Sequence, residues 1–142
     1  MIRTKGVVHF SLGVSDIATS ARFFEEILGV EVLEERPAMA FLKTGNDCFA
    51  LVKSKNPIDP NPGDEHHVHH AFWVEADAYD DAVKFLGEKG IRVFFEEDRP
   101  PPANFSGRRA YFHDPDRNVI EIIDWTNPSK ADPRQEQAAA SA

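Results

Sequence analysis

Cysteine is nearly absent. Cys48 stands alone among 142 residues, so no disulfide can form within the chain and the fold must rest on its apolar core. Long apolar runs are missing too: no stretch approaches the roughly 20 residues that span a bilayer, and no membrane association is expected. Met1-Ile2-Arg3-Thr4-Lys5-Gly6 lacks the apolar centre of a signal peptide, so cytoplasmic residence is the expectation. Positive charge is also scarce. Sixteen Lys and Arg against 24 Asp and Glu give a formal charge of −8. Phosphate backbones require a basic surface, so nucleic acid is not expected as a partner, and the acidic surface serves solubility.

What is present is a repeat. His9-Phe10-Ser11-Leu12-Gly13-Val14-Ser15-Asp16 and His70-Ala71-Phe72-Trp73-Val74-Glu75-Ala76-Asp77 each set a His seven residues ahead of an Asp. A shift of 61 positions superposes them, and also lays Gly29-Val30-Glu31-Val32 on Gly90-Ile91-Arg92-Val93. A module of about 60 to 70 residues buries little surface by itself. The two copies are therefore expected to form a single domain over residues 1–126, with module one at about 6–55 and module two at about 66–126. Residues 127–142 read as a partly disordered tail.

Periodicity assigns the elements. Residues 6–14 are apolar and β-branched enough for a buried strand; Ser15-Asp16 caps a helix with Ile17, Ala21, Phe24 and Leu28 on one face, and Gly29 stops it. Strands follow around 30–34, 38–43 and 48–53, with Thr44-Gly45-Asn46-Asp47 as a turn. The second copy repeats that order as strand 68–75, helix 79–89, and strands 92–96, 109–113 and 119–125. A Pro-rich linker, 56–65, separates the copies. Residues 97–107, with Pro100-Pro101-Pro102, read as irregular and as a pocket wall or lid.

One carboxylate is out of place. In Val119-Ile120-Glu121-Ile122-Ile123 a Glu sits inside an apolar run, and a buried carboxylate needs a partner. A divalent metal is such a partner, and two His with one carboxylate form a facial set that leaves positions open for substrate. His9 and His70, equivalent in the repeat, complete that set with Glu121. His66, His67 and His69 are expected at the edge or in solvent, with His67 or His69 placed to relay protons. By the period of two, Ile123 and Trp125 share the Glu121 face and Phe72 shares that of His70, giving the ion an aromatic wall.

These motifs resemble the vicinal oxygen chelate superfamily, which includes glyoxalases, bleomycin resistance proteins and extradiol dioxygenases. The resemblance spans about residues 6–125. It is carried by His9 with Asp16, by His70 with Asp77, and by Tyr111-Phe112-His113-Asp114-Pro115-Asp116-Arg117-Asn118-Val119-Ile120-Glu121. It implies an α+β fold of paired βαβββ modules forming a cupped, partly closed mixed β-sheet around a metal site. It also implies that His9, His70 and Glu121 hold one divalent ion, Fe2+ or Mn2+ before Zn2+, Ni2+ or Co2+, with Tyr111 as the catalytic group. Ser11, Ala50, Phe72, Arg109 and Trp125 are expected in the substrate pocket. Members close the cup within one chain or by exchange between two, so a homodimer is expected.

Departures from the family pattern narrow the chemistry. The glyoxalase branch takes a fourth ligand, a Glu, from the last strand of module one, where this chain has Phe49 or Ala50. Isomerisation of that type is disfavoured. The expected activity is a metal-dependent reaction on a small oxygenated substrate, aromatic or not, chelated through vicinal oxygens. Extradiol-type ring cleavage comes first, fosfomycin-resistance-like thiol transfer or a glyoxalase-like lyase reaction second, and metal-free drug sequestration last. The Gly usual after Asp-Pro-Asp is Arg117, and Asn118 is expected to take the left-handed conformation of that turn.

Overall fold

Helix α1 (Ile17–Leu28) is defined by its caps. Asp16 adopts extended backbone angles, φ −139° and ψ 119°, and its carboxylate accepts from the Thr19 amide at 2.8 Å, satisfying one open N–H of the first turn. Gly29, left-handed at φ 64°, closes the other end and donates its amide to the Glu25 carbonyl at 3.1 Å. Between the caps Ile17, Ala21 and Phe24 are buried, and Phe24 meets Phe49 edge to face at 5.3 Å. Burying a Phe side chain contributes roughly 1.5–3 kcal/mol, so this face fastens the helix to its sheet.

The computed structural model describes residues 1–57, 59–101, 103 and 105–125; the tail expected at 127–142 lies outside the described residues. The order is βαβββ twice. The first set is β1 (Ser11–Val14), α1, β2 (Glu31–Arg36), β3 (Met39–Thr44) and β4 (Asp47–Lys53). The second is β5 (His69–Trp73), α2 (Tyr79–Glu88), β6 (Phe95–Arg99), β7 (Gly107–His113) and β8 (Val119–Ile123). Each set makes an open, mixed four-stranded sheet, ordered β1-β4-β3-β2 and β5-β8-β7-β6, whose first and last strands run parallel. The expected α+β architecture of paired modules is therefore present. The chain divides into two compact units, Met1–Pro62 with His113–Asn118, and Gly63–Phe112 with Val119 onward. Among the described residues no helix is long and apolar enough to cross a membrane.

Three local features depart from the periodicity. The first strand covers only Ser11–Val14, and Val7 and Val8 stand 86% and 83% exposed. Apolar side chains do not make a strand without a neighbour to bond, and the β4 ladder begins at Ser11↔Ala50. The second departure is β6, which runs to Arg99, into the segment expected to be irregular. There Glu97 pairs with Arg109 and Asp98 with Arg108, opposite charges that favour the ladder. Third, the left-handed residue between β7 and β8 is Arg117, at φ 65°, and not Asn118. The Asn118 side chain instead donates to the Gly13 carbonyl at 3.1 Å and to Asp114 Oδ2 at 2.8 Å, while Arg117 Nε donates to Asp59 Oδ2 at 2.7 Å.

Candidate functional site

Every position of β8 is buried, and its middle residue is Glu121, 2% exposed. A carboxylate placed there loses its hydration, a cost of several kcal/mol unless partners replace the water. Two partners do so. His69 Nε2 lies 3.0 Å from Oε2, and Arg109 Nη1 lies 3.5 Å from Oε1. The pleat brings His69 there: Ala71 is the ladder partner of Glu121, and His69 and Trp73, two residues to either side, share its face. Arg109 and Tyr111 occupy alternate positions of β7.

Hydrogen bonding fixes the state of the His69 ring. Its Nδ1 is 2.6 Å from the His66 carbonyl; a carbonyl only accepts, so Nδ1 carries hydrogen and the Nε2 lone pair of the neutral ring faces Glu121. Two acceptors aimed at each other require a cation between them, a proton or a metal. When it is a proton, the hydrogen bond to Glu121 raises the His69 pKa against the opposing effect of burial. When it is a divalent ion, a 3.0 Å separation suits neighbouring ligands that each stand about 2.1 Å from the metal. The donor pair fits such an ion. Among the described residues no three His, Cys, Asp or Glu side chains are gathered into one group.

His70 is not at this site, which corrects the expectation from the repeat. It pairs with Ile120 in the ladder and shares the opposite face with buried Phe72; burial lowers its pKa. The physical cause is phase. Leu12 and Phe72 are equivalent, each buried beside a buried residue of the last strand, Leu51 and Ile122. That equivalence is a shift of 60 positions, which matches His9 to His69. A slip of one residue moves every side chain to the other face. The same ladders pair Ser11 with Ala50 and Ala71 with Glu121, so Ala50 rather than Phe49 holds the Glu121 position of module one. The added residues fall before α2, whose N-cap is Ala78 with no side-chain bond. Asp77 does not repeat the capping role of Asp16.

Beside Glu121 is a pocket of about 480 Å³. His69, Arg109 and Tyr111 line it with Glu121, and Trp73, Phe105, Ile123 and Trp125 supply apolar surface. Trp125 meets Trp73 at 6.3 Å and Phe105 at 5.4 Å between ring centroids. Burial first, then the Glu121 charge, push the Tyr111 hydroxyl up to about 12, so at neutral pH it remains a hydrogen-bond donor. His66 packs on the Tyr111 ring at 4.5 Å and on Phe95 at 4.7 Å.

Of the residues expected from sequence, Tyr111, Glu121, Arg109 and Trp125 come together, and His70 and Phe72 do not. His9, Ser11 and Ala50 belong to the first unit, where Ser11 pairs with Ala50 and the His9 ring stands edge-on to Phe41 at 6.4 Å. Sequence reasoning misses His66 as a pocket residue, His69 as the partner of Glu121 in place of a proton relay, and Trp73. The signal for the last two lies in their alternation with Ala71, once the buried Phe72 sets the phase. Arg99 and Phe105 bring the 97–107 segment into the pocket wall.

Residues 6–122 match the Glyoxalase/Bleomycin resistance protein/Dioxygenase superfamily. The metallothiol transferase FosB of Staphylococcus haemolyticus is 30% identical over 118 residues, covering 83% of this chain and 82% of that protein. The glutathione transferase FosA of Serratia marcescens is 26% identical over 116 residues, covering 80% of this chain and 77% of that protein. A crystal structure of a mutant of FosX, a genomically encoded fosfomycin resistance protein from Listeria monocytogenes, is complexed with Mn(II) and 1S,2S-dihydroxypropylphosphonic acid. It superposes with a TM-score of 0.71 at 19% identity over 87% of this chain and 93% of that one, which shows a shared fold. FosB and FosA are transferases, and this moves thiol transfer ahead of ring cleavage among the expected activities. With two βαβββ sheets, a His paired with a buried Glu, and a match that runs from residue 6 to residue 122, the chain belongs to the glyoxalase/bleomycin resistance protein/dioxygenase superfamily.

Proposed function

We propose that this chain is a divalent-metal-dependent enzyme acting on a small oxygenated substrate, with thiol transfer as its reaction class. The observation that carries the reading is the 3.0 Å approach of His69 Nε2 to Glu121 Oε2 beside the pocket. His69 and Glu121 are the two proposed ligands on one sheet, and the repeat, phased at 60 positions, supports His9 as the third. Imidazole and carboxylate suit Mn2+, Fe2+, Co2+, Ni2+ and Zn2+ alike; the Mn(II) bound by FosX favours manganese. When bound, the ion supplies positive charge to the substrate oxygens it holds.

The protein groups do the rest. Tyr111, held protonated, donates a hydrogen bond to a substrate oxygen that gains negative charge. Apolar surface from Trp73, Ile123 and Trp125 keeps water from competing for that bond. Calorimetric titration of Mn2+ into EDTA-treated protein tests the metal, and phosphorus-31 NMR of fosfomycin incubated with L-cysteine or glutathione tests the transfer. One ion per chain and a metal-dependent phosphorus shift are expected; protein that binds no divalent metal overturns the reading. Ring cleavage is the second reading, favoured by the aromatic surface of the pocket. Oxygen uptake by Fe2+-loaded protein given catechol, with no reaction on fosfomycin, would select it.

A further inference from the structure

Arg109 brings a charge into the interior that metal binding does not employ. It is 3% exposed, and its Nη2 donates to the Phe105 carbonyl. Its Nε makes no hydrogen bond among the described residues. The neighbouring carboxylate oxygens stand off, Glu121 Oε1 at 3.5 Å from Nη1 and Glu97 Oε1 at 3.7 Å from Nε. A guanidinium is a planar fork of five donors whose geometry matches a two-oxygen anion. Burying one with a donor unmet is costly, and an acceptor brought by a ligand removes that cost.

The same pocket is aromatic. Trp73 and Phe105 are 47% and 54% exposed, and Phe105 and Trp73 each contact the ring of Trp125. Large aromatic faces left open beside polar groups are surface for a ring to cover. A volume of about 480 Å³ lies within the range of sites that enclose ring-bearing ligands. Charge agrees. Arg99 and Arg109 balance Glu97 and Glu121 in and around the pocket, and a divalent ion on Glu121 would leave the site net positive.

We propose that the pocket selects an aromatic carboxylate, with its ring among Trp73, Phe105 and Trp125 and its carboxylate on the Arg109 guanidinium. The proposal rests on the metal reading only for where the reactive oxygens lie. It makes Arg109 a specificity-determining residue for the anionic end of the substrate.

The chain holds two tryptophans, Trp73 and Trp125, and both line the pocket, so intrinsic fluorescence reports its occupancy. Benzoate, benzyl alcohol and propanoate are each titrated into EDTA-treated and into Mn2+-loaded protein. Benzoate is expected to bind at least about tenfold more tightly than either control, because it alone satisfies both the ring and the fork. Arg109→Lys keeps the charge and loses the fork, and should weaken benzoate about tenfold while leaving benzyl alcohol unchanged. If that variant does not fold, Trp73→Ala and Phe105→Ala change exposed side chains and should bring benzoate down to the level of propanoate. Propanoate or benzyl alcohol binding as tightly as benzoate overturns the proposal, as does an Arg109→Lys protein that folds and binds benzoate normally. Benzoate binding without Mn2+ binding would sink the metal reading alone; Mn2+ binding without benzoate binding would sink the aromatic-anion proposal alone.

Discussion

Tyr111 is kept neutral by its surroundings, and its role can be separated from its packing. Replacing it with Phe preserves the ring that His66 and Phe95 pack against and removes only the donor. Tyr111→Phe should lower kcat about 10- to 100-fold, the range for one positioned proton or hydrogen-bond donor. Mn2+ affinity should not change. Steady-state kinetics beside calorimetry gives the comparison, and a matching loss of metal affinity would assign Tyr111 to the fold. Glu121 is legible in the sequence because a charged residue inside an apolar strand needs a partner, and Tyr111 through the resemblance of residues 111–121 to the superfamily. His69 is not. His69 and His70 are adjacent and chemically identical, and only the phase of the strand decides which faces Glu121; the His-to-Asp spacing points to the wrong one because the second copy carries added residues before α2.

Elements are legible where periodicity or a cap determines them. Asp16 and Gly29 delimit α1 in the sequence as they do in the structure, since each satisfies backbone groups that no other residue reaches. The start of β7 is a different case. Gly107 has φ 129°, and a Cβ there would lie 2.1 Å from the Asp124 carbonyl oxygen, a contact that only glycine avoids. Gly107→Ala should destabilise the protein by about 2–4 kcal/mol through clash and backbone strain combined, read by chemical denaturation. A loss below about 0.5 kcal/mol would show that the strand adjusts freely.

The turn between β7 and β8 adds a dependence on pH. Asp114 accepts from the Asp116 and Asn118 amides at 2.9 and 2.8 Å, yet burial pushes its carboxyl up to about 6 from an ordinary 3.8. A raised pKa means that the folded state holds its proton more tightly than the unfolded chain does. The contribution is complete below about pH 4 and is lost as pH rises to about 6. Relative to Asp114→Asn, the parent should therefore lose on the order of 2 kcal/mol between pH 4 and pH 7. Parallel stability profiles for the two proteins would contradict this origin.

At the scale of the whole molecule, the doubled βαβββ order follows from the repeat even though its phase is off by one, because element order tolerates a slip that side-chain direction does not. Assembly is a proposal of the same scale. Pro57, Pro60 and Pro62 stiffen linker 56–65, and ten residues extend to about 30 Å, long enough for modules to be exchanged in a homodimer. Exchange places His9 of one chain with His69 and Glu121 of the other. Inactive His9→Ala and inactive Glu121→Ala proteins, dissociated and allowed to re-form dimers together, should then recover activity. A mixture that stays inactive although mixed dimers form would place each site within one chain.

The identity of the histidine that works with Glu121 is decided by titrating Mn2+ into His69→Ala and His70→Ala proteins, each first confirmed as folded by circular dichroism. His69→Ala removes a ligand and should weaken Mn2+ by about 100-fold or more, whereas His70→Ala should stay within about threefold of the parent. Loss of Mn2+ binding in His70→Ala with retention in His69→Ala would contradict the assignment.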